Sequence, residues 1–130
     1  MENHIHAMTD DDRTRIDAAI ARAQEGTTAT LALHVILDAQ ADALERAKAE
    51  FLGRGLDRHE RANAALILFA PNARTFAVIG DRALHEAVGQ TFWDETAALM
   101  ATSFKDGRQT DGLVLGIDRL GRAFHEHFKA

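Results

Sequence analysis

Two almost entirely apolar runs on either side of an amphipathic run constrain the fold most. Thr28 to Leu37 and Asn63 to Ala70 are rich in Leu, Ile, Val and Ala and have the length of strands. Strands that are apolar at nearly every position are typical of sheets covered on both faces. The run between them, Asp38 to Leu52, has helical spacing. A strand, a helix and a strand in this order form a βαβ unit, whose strands are parallel when they are neighbours.

The segment Pro71-Asn72-Ala73 predicts a β-hairpin. It separates the run Asn63 to Ala70 from a third strand-like run, Arg74 to Gly80. Proline presets one turn dihedral angle, and asparagine tolerates a left-handed one. The second and third strands should therefore be antiparallel, and the three strands form a small mixed sheet.

The remaining runs predict helices, because apolar residues recur every three or four positions. One helix ends before Gly26, a short one follows Asp81, and a longer one ends at Asp106-Gly107. A last helix begins at Thr110 or Asp111. Glycines in this helix cost about 1 kcal/mol each relative to alanine, so we expect its backbone to lie close to a neighbouring element. The glycines are Gly112, Gly116 and Gly121.

Length and composition fit a single domain. The chain has 130 residues, of which 46% are apolar and 27% charged, and no linker or repeat divides it. We predict one α/β domain over residues 10–130, preceded by a flexible terminus over residues 1–9. Its architecture is a three-layer α/β/α sandwich, with the mixed sheet flanked by helices. The absence of cysteine excludes a disulfide scaffold and a thiolate-bound metal.

Charge and hydropathy narrow the classes of partner. A net charge of −5 argues against a nucleic-acid partner. The longest apolar run, Ala64 to Ala70, is far shorter than the roughly 20 residues of a membrane-spanning helix, so we expect no direct membrane insertion. The acidic start, Met1 to Asp12, lacks the apolar segment of a signal peptide and predicts a cytoplasmic location.

The histidines do not form a recognisable metal motif. His125 and His127 are two positions apart on a helix, so their rings point about 200° apart and cannot hold one ion. His34 alternates with apolar residues in the first strand, and we interpret it as a hydrogen-bonded structural residue. His59 precedes the second strand in a charged loop, where a solvated side chain is the simpler interpretation.

One edge of the predicted sheet is a candidate site. The end of the third strand lies beside the start of the second in a hairpin, and the parallel first strand starts at the same edge. The topology therefore gathers Thr30, Asn63 and Asp81 at what we call the Asp81 edge. Oxygen ligands at such an edge suit Ca²⁺ or Mg²⁺, although a single carboxylate binds them weakly. Alternatively, Asp81 caps the helix that it opens.

Nine short stretches carry a family resemblance through their order and spacing. They are Ile16-Asp17-Ala18-Ala19-Ile20, Thr27-Thr28 before Leu31-Ala32-Leu33-His34-Val35, Asn63-Ala64-Ala65-Leu66-Ile67, Phe76-Ala77-Val78-Ile79-Gly80-Asp81, Phe92-Trp93, Phe104-Lys105-Asp106-Gly107, Gly112-Leu113 and His127-Phe128. Together they resemble the TPM domain family, which includes thylakoid-lumen photosystem II repair proteins and many bacterial proteins of unknown role. The resemblance covers nearly the whole chain.

The resemblance implies a mixed sheet between helices, in agreement with the periodicity. It also implies a domain to which acid phosphatase activity and calcium binding have been attributed in some members. By position, Asn63 matches the family's Arg-Asn pair before the second strand, and Asp81 matches its Gly-Asp after the third. Trp93 matches its Phe-Trp pair.

This chain departs from the family pattern at three positions that are often charged in the family. The family often has glutamate at the end of the first helix and at the entry to the first strand, and arginine before the asparagine. The residues here are Gln24, Thr30 and Ala62, and the predicted topology places them at the Asp81 edge. The loss of two carboxylates and one cation weakens both metal binding and phosphate binding.

Two hypotheses about function follow. The first is a non-catalytic binding or assembly domain with a protein partner, for example one in a membrane-associated complex. The second is a phosphatase-like hydrolase that uses Ca²⁺ or Mg²⁺ at Asp81 and Asn63, with Thr30, His59 or Asp38 as accessory residues. We favour the first because the edge is depleted of charge, and we assign no catalytic residue. A scaffold that pairs with itself is a third alternative.

Overall fold

The computed structural model describes residues 8–36, 42–71 and 74–130. In chain order the elements are α1 (Asp10–Gln24), β1 (Leu31–Val35), α2 (Ala43–Gly53), β2 (Ala65–Ala70), β3 (Thr75–Gly80), α3 (Arg82–Lys105) and α4 (Gln109–His127), with a short 3-10 turn, Leu56–Arg58, after α2. None of the helices in these ranges is both long and apolar enough to cross a membrane.

The sheet has the predicted mixed topology, with β2 between β1 and β3. Leu31 lies opposite Ala65 in the parallel pair, and Ala65 lies opposite Gly80 in the antiparallel pair. The predicted turn residues Asn72-Ala73 lie outside the described residues. The next residue, Arg74, has a left-handed φ of 56°. The hairpin and the βαβ unit are therefore both confirmed.

Both faces of the sheet are covered, which explains why β2 is apolar throughout. Successive side chains of a strand point to opposite faces. Ala65, Ile67 and Phe69 pack with α1, α3 and α4, whereas Leu66 and Leu68 pack with α2. No residue of β2 is more than 3% exposed. The predicted three-layer α/β/α sandwich is confirmed.

Close packing of α4 against two neighbouring helices explains its glycines. A Cβ on Gly121 would lie 2.8 Å from the Cα of Ala23 in α1. A Cβ on Gly112 would lie 2.6 Å from the Phe104 ring of α3. The glycines therefore allow α4 to approach α1 and α3, as predicted.

The two helices predicted after Asp81 are the two arms of α3, which is interrupted at Gly89. This residue has φ 79° and ψ 165°, a conformation that glycine adopts far more readily than other residues. The predicted start of the last helix is wrong. Its cap position is Arg108, which provides no side-chain cap, and Asp111 instead pairs with Arg15 of α1 at 2.9 Å.

The segment before β1 is joined to the segment after α4. The N–H of Thr28 donates to the carbonyl of Phe128 at 2.9 Å, and the N–H of Ala130 donates to that of Gly26 at 2.9 Å. These bonds hold residues 26–28 beside residues 128–130. The first strand therefore starts at Leu31 and not at the predicted Thr28, because Thr28 bonds to the segment after α4.

Candidate functional site

The Asp81 edge forms as the topology predicts. The N–H of Asp81 donates to the carbonyl of Ala64 at 2.9 Å, and the N–H of Ala65 donates to that of Thr30 at 2.9 Å. The backbone of Thr30, Asn63 and Asp81 therefore comes together at one edge of the sheet. The ion-binding role of these residues stays a prediction.

Asp81 has the capping role that was the alternative interpretation. Its carboxylate accepts the backbone N–H of Arg82 at 2.7 Å and opens α3. A carboxylate at a helix N-terminus is also favoured by the helix dipole. The side chain is half-buried. Asp81 therefore stabilises the fold whether or not it binds anything else.

Asn63 is fully buried beneath this edge. Its Nδ2 donates to the Oγ1 of Thr28 at 2.9 Å, which joins the start of β2 to the segment before β1. Its Oδ1 has no hydrogen-bond partner within the described part of the chain. A buried acceptor without a partner costs about 1–3 kcal/mol. Asn63 is therefore one unused oxygen ligand at the Asp81 edge.

These donors alone do not fit a Ca²⁺ or Mg²⁺ centre. Ca²⁺ takes six to eight oxygen ligands, typically with several carboxylates. The edge supplies the carboxylate of Asp81, which caps a helix, and the amide oxygen of Asn63. Within residues 8–36, 42–71 and 74–130, no three His, Cys, Asp or Glu side chains are grouped to hold a metal. An ion at this edge would need further ligands besides these two side chains.

The residues that depart from the family pattern make structural contacts around this edge. The Oε1 of Gln24 accepts the N–H of Leu31 at 2.7 Å and so fixes the start of β1. Ala62 has a left-handed φ of 53°, and its carbonyl accepts the N–H of Ala83 at 2.9 Å. Gln24 and Ala62 thus contribute hydrogen bonds without charge.

Sequence reasoning missed His85, which lies in the first turn of α3. Its Nδ1 accepts the indole N–H of Trp93 at 2.9 Å. The Trp93 ring lies so close to Gly80 that a Cβ there would be 2.7 Å from it. His85 follows Asp81, the N-cap residue of α3, by four positions, so its place in the first helical turn could have been predicted. The hydrogen bond to Trp93 could not be read from the sequence.

Among the accessory residues, Asp38 lies outside the described residues. His59 is half-buried, and its carbonyl accepts the N–H of Ala62 at 3.0 Å. The accessory roles of Asp38 and His59 stay predictions.

His34 is a structural residue, as predicted. Its Nδ1 is 3.0 Å from the guanidinium of Arg54, and its Nε2 is 3.6 Å from the carboxylate of Glu50. Arg54 also donates to Glu50 at 2.7 Å, and this hydrogen bond lowers the pKa of Glu50. The three side chains link the exposed edge of β1 to α2.

A groove lies at the opposite end of the sheet, beside the β2–β3 hairpin. Its walls come from the end of β2, the start of β3, the end of α3 and the first turns of α1 and α4, and its volume is about 660 Å³. We call it the hairpin groove. Sequence reasoning missed it because residues from five elements form it.

Three phenylalanine rings lie together in the hairpin groove. Phe69 and Phe76 lie opposite each other on β2 and β3. The Phe104 ring of α3 stacks on Phe69 at 4.7 Å between centroids and meets Phe76 edge-on at 5.0 Å. Both arrangements are favourable for aromatic pairs. The groove therefore has an ordered aromatic floor.

Charged side chains stand around this floor. Arg74 from the hairpin and Lys105 from the end of α3 line the groove, and both are exposed. Asp12 of α1 lines it as well and accepts the N–H of Thr9 at 3.0 Å. That hydrogen bond lowers the pKa of Asp12. The groove thus combines an aromatic floor with two cations and one carboxylate.

The chain is similar over most of its length to proteins of known structure. It is 30% identical to the BA42 protein of the psychrophilic bacterium Bizionia argentinensis, with a TM-score of 0.85 over 94% of this chain and 84% of that one. The N-terminal domain of cg2496 from Corynebacterium glutamicum is 12% identical, with a TM-score of 0.73 over 92% of this chain and 75% of that one. The N-terminal domain of a P. gingivalis protein is 11% identical, with a TM-score of 0.77 over 91% and 76%. No curated protein matches the chain significantly.

The family resemblance seen in the sequence is confirmed. The TPM domain matches residues 2–123, which is nearly the whole chain. The mixed sheet between helices is shared with the structures above. The chain therefore belongs to the TPM domain family.

Proposed function

We propose that this domain is a non-catalytic binding module and that the hairpin groove is its binding site. The proposal rests on the volume and the lining residues of this groove. Its volume of about 660 Å³ lies within the roughly 300–1,000 Å³ of small-molecule sites. Such sites combine apolar and aromatic walls with a few polar groups, which is the composition described above.

The contacts at the Asp81 edge support the non-catalytic part of the proposal. Asp81 caps α3, and Asn63 joins two strand starts, so both side chains already stabilise the fold. A hydrolase needs a group that activates water or a nucleophile, and this edge supplies a single carboxylate. The alternative function, a cation-dependent phosphatase-like hydrolase, would have to use Asp81.

An aryl phosphate assay with added Mg²⁺ or Ca²⁺ tests the non-catalytic part. We expect no turnover above the uncatalysed rate. Asp81→Asn is the informative variant, because asparagine keeps the helix cap and removes the charge. Asp42→Asn is its matched control, since Asp42 caps α2 through the N–H of Leu44 at 2.9 Å. Turnover that Asp81→Asn abolishes and Asp42→Asn preserves would overturn the proposal.

An NMR titration tests the binding part. Small organic compounds that bind the domain should shift the backbone amide signals of Phe76 and Phe104 in the groove. The amide of Ala47, a buried residue of α2 on the other face of the sheet, should not move. Shifts confined to residues outside the hairpin groove would contradict its assignment as the binding site.

A further inference from the structure

We infer that the hairpin groove binds a small organic carboxylate, with an aromatic or branched aliphatic body on the phenylalanine floor and its carboxylate at Arg74 and Lys105. This inference rests on the proposed function and names the chemical class of its ligand.

The aromatic floor is held in place by its surroundings. Phe69 is only 3% exposed, whereas Phe76 and Phe104 are half-buried. The Phe104 ring lies against α4 where Gly112 has no side chain, since a Cβ there would be 2.6 Å from the ring. A preorganised apolar surface favours a rigid apolar body, because little further ordering is needed on binding. The floor thus selects the body of the ligand.

The charge of the groove favours an anion. Among its described lining residues, Asp12 alone is acidic, against the two cations Arg74 and Lys105. The formal charge of these three side chains is therefore +1, although the whole chain carries −5. In the part of the chain that the structure describes, neither cation forms an ion pair. Guanidinium and ammonium groups bind carboxylates through charge-assisted hydrogen bonds.

Asp12 supplies the one negative charge among the described lining residues of the groove, and its carboxylate is already hydrogen-bonded at the N-terminus of α1. It accepts the N–H of Thr9, while its own N–H donates to the Thr9 hydroxyl at 3.0 Å. These two bonds form the capping box of α1. Asp12 therefore has a structural role at the N-terminus of a helix, where a negative charge is favoured.

The hairpin backbone has an unfavourable conformation at Arg74. Arg74 has a φ of 56°, which residues with a Cβ rarely adopt and glycine adopts freely. Unfavourable backbone conformations cluster at functional sites, and an observed outlier supports a hypothesis of function. An arginine at this position is explained if its side chain binds the ligand in the groove.

Three probes of one shape and different charge test the inference on the full chain. They are 2-naphthoate, neutral 2-naphthylmethanol and cationic 2-naphthylmethylammonium, each titrated by NMR to millimolar concentration. We expect naphthoate to shift the Phe76 and Phe104 amides saturably and to bind about tenfold more tightly than the alcohol, as charge-assisted hydrogen bonds predict. The ammonium compound should bind more weakly than the alcohol, because the groove is cationic.

A double variant, Arg74→Ala with Lys105→Ala, should weaken naphthoate binding about tenfold and leave the alcohol unchanged. The matched control is Lys48→Ala with Arg58→Ala, which removes the same charge from exposed residues outside the groove. The control should bind all three probes as the original chain does.

The outcomes separate this inference from the proposed function. Equal binding of naphthoate and the alcohol, or equal effects of the two double variants, would overturn the inference and leave the groove as a binding site. Binding of the ammonium compound above that of naphthoate would do the same. If no probe shifts any groove amide, both the inference and the assignment of the groove are wrong.

Discussion

Alanine at Gly121 should destabilise the domain, although alanine is the better helix former. At an open helical position the change from glycine gains about 1 kcal/mol. At Gly121 the new methyl would lie 2.8 Å from the Cα of Ala23, a backbone atom that cannot move unless α1 separates from α4. Overpacking a well-packed core costs about 1–3 kcal/mol, and a backbone contact belongs at the upper end. We therefore expect a net loss of about 2 kcal/mol.

Urea unfolding followed by circular dichroism measures this loss. For a domain of this size, about 2 kcal/mol corresponds to a fall in Tm of about 6–10 °C. Gly53→Ala is the control, because a Cβ at Gly53 meets no atom within 4 Å. That variant should be more stable by up to about 1 kcal/mol. Equal or higher stability of Gly121→Ala, with an unchanged dependence on urea, would refute the packing argument.

Two further variants test single residues. Glu50→Gln removes the carboxylate that Arg54 binds at 2.7 Å, and we expect a loss of at most about 1 kcal/mol at neutral pH. Because the folded-state pKa of Glu50 is lowered from 4.5, its stabilisation is present above that pH and is lost as the pH falls through the folded pKa. The stability difference from Glu50→Gln should therefore shrink below about pH 4.5, and a constant difference would contradict this role. Arg74→Gly should raise the free energy of unfolding by up to about 1 kcal/mol, because the relief of left-handed strain exceeds the added entropy of the unfolded chain. A lower Tm in thermal unfolding would argue against strain.

The strand order and the Asp81 edge could be predicted from the sequence because local patterns determine them. The apolar run of β2 indicated a strand covered on both faces, and the turn after Ala70 indicated an antiparallel partner. Because β2 has one parallel and one antiparallel neighbour, the start of β1, the start of β2 and the end of β3 lie at the same edge of the sheet. The capping role of Asp81 was predictable for the same reason, since it depends on adjacent residues.

The start of α4 and the hairpin groove depend on contacts between distant residues. Asp111 was predicted as a possible cap, but Arg15 binds it from α1 across 96 positions of sequence. The aromatic floor needs Phe69 and Phe104 from separate elements to stack. Periodicity places each ring on the inner side of its own element, but it does not show which rings meet or where a depression remains between them.

The bonds between residues 26–28 and residues 128–130 affect the order in which the chain acquires its structure. The side-chain bond from Thr28 to Phe128 joins positions that are 100 residues apart. Closing so long a loop carries a large entropic cost, and contacts of this kind slow folding. During synthesis the β2–β3 hairpin can pair long before Phe128 leaves the ribosome. The contact between Thr28 and Phe128 therefore forms later than the hairpin, and a protease acting on the nascent chain should find the segment at Thr28 open until Phe128 has been translated.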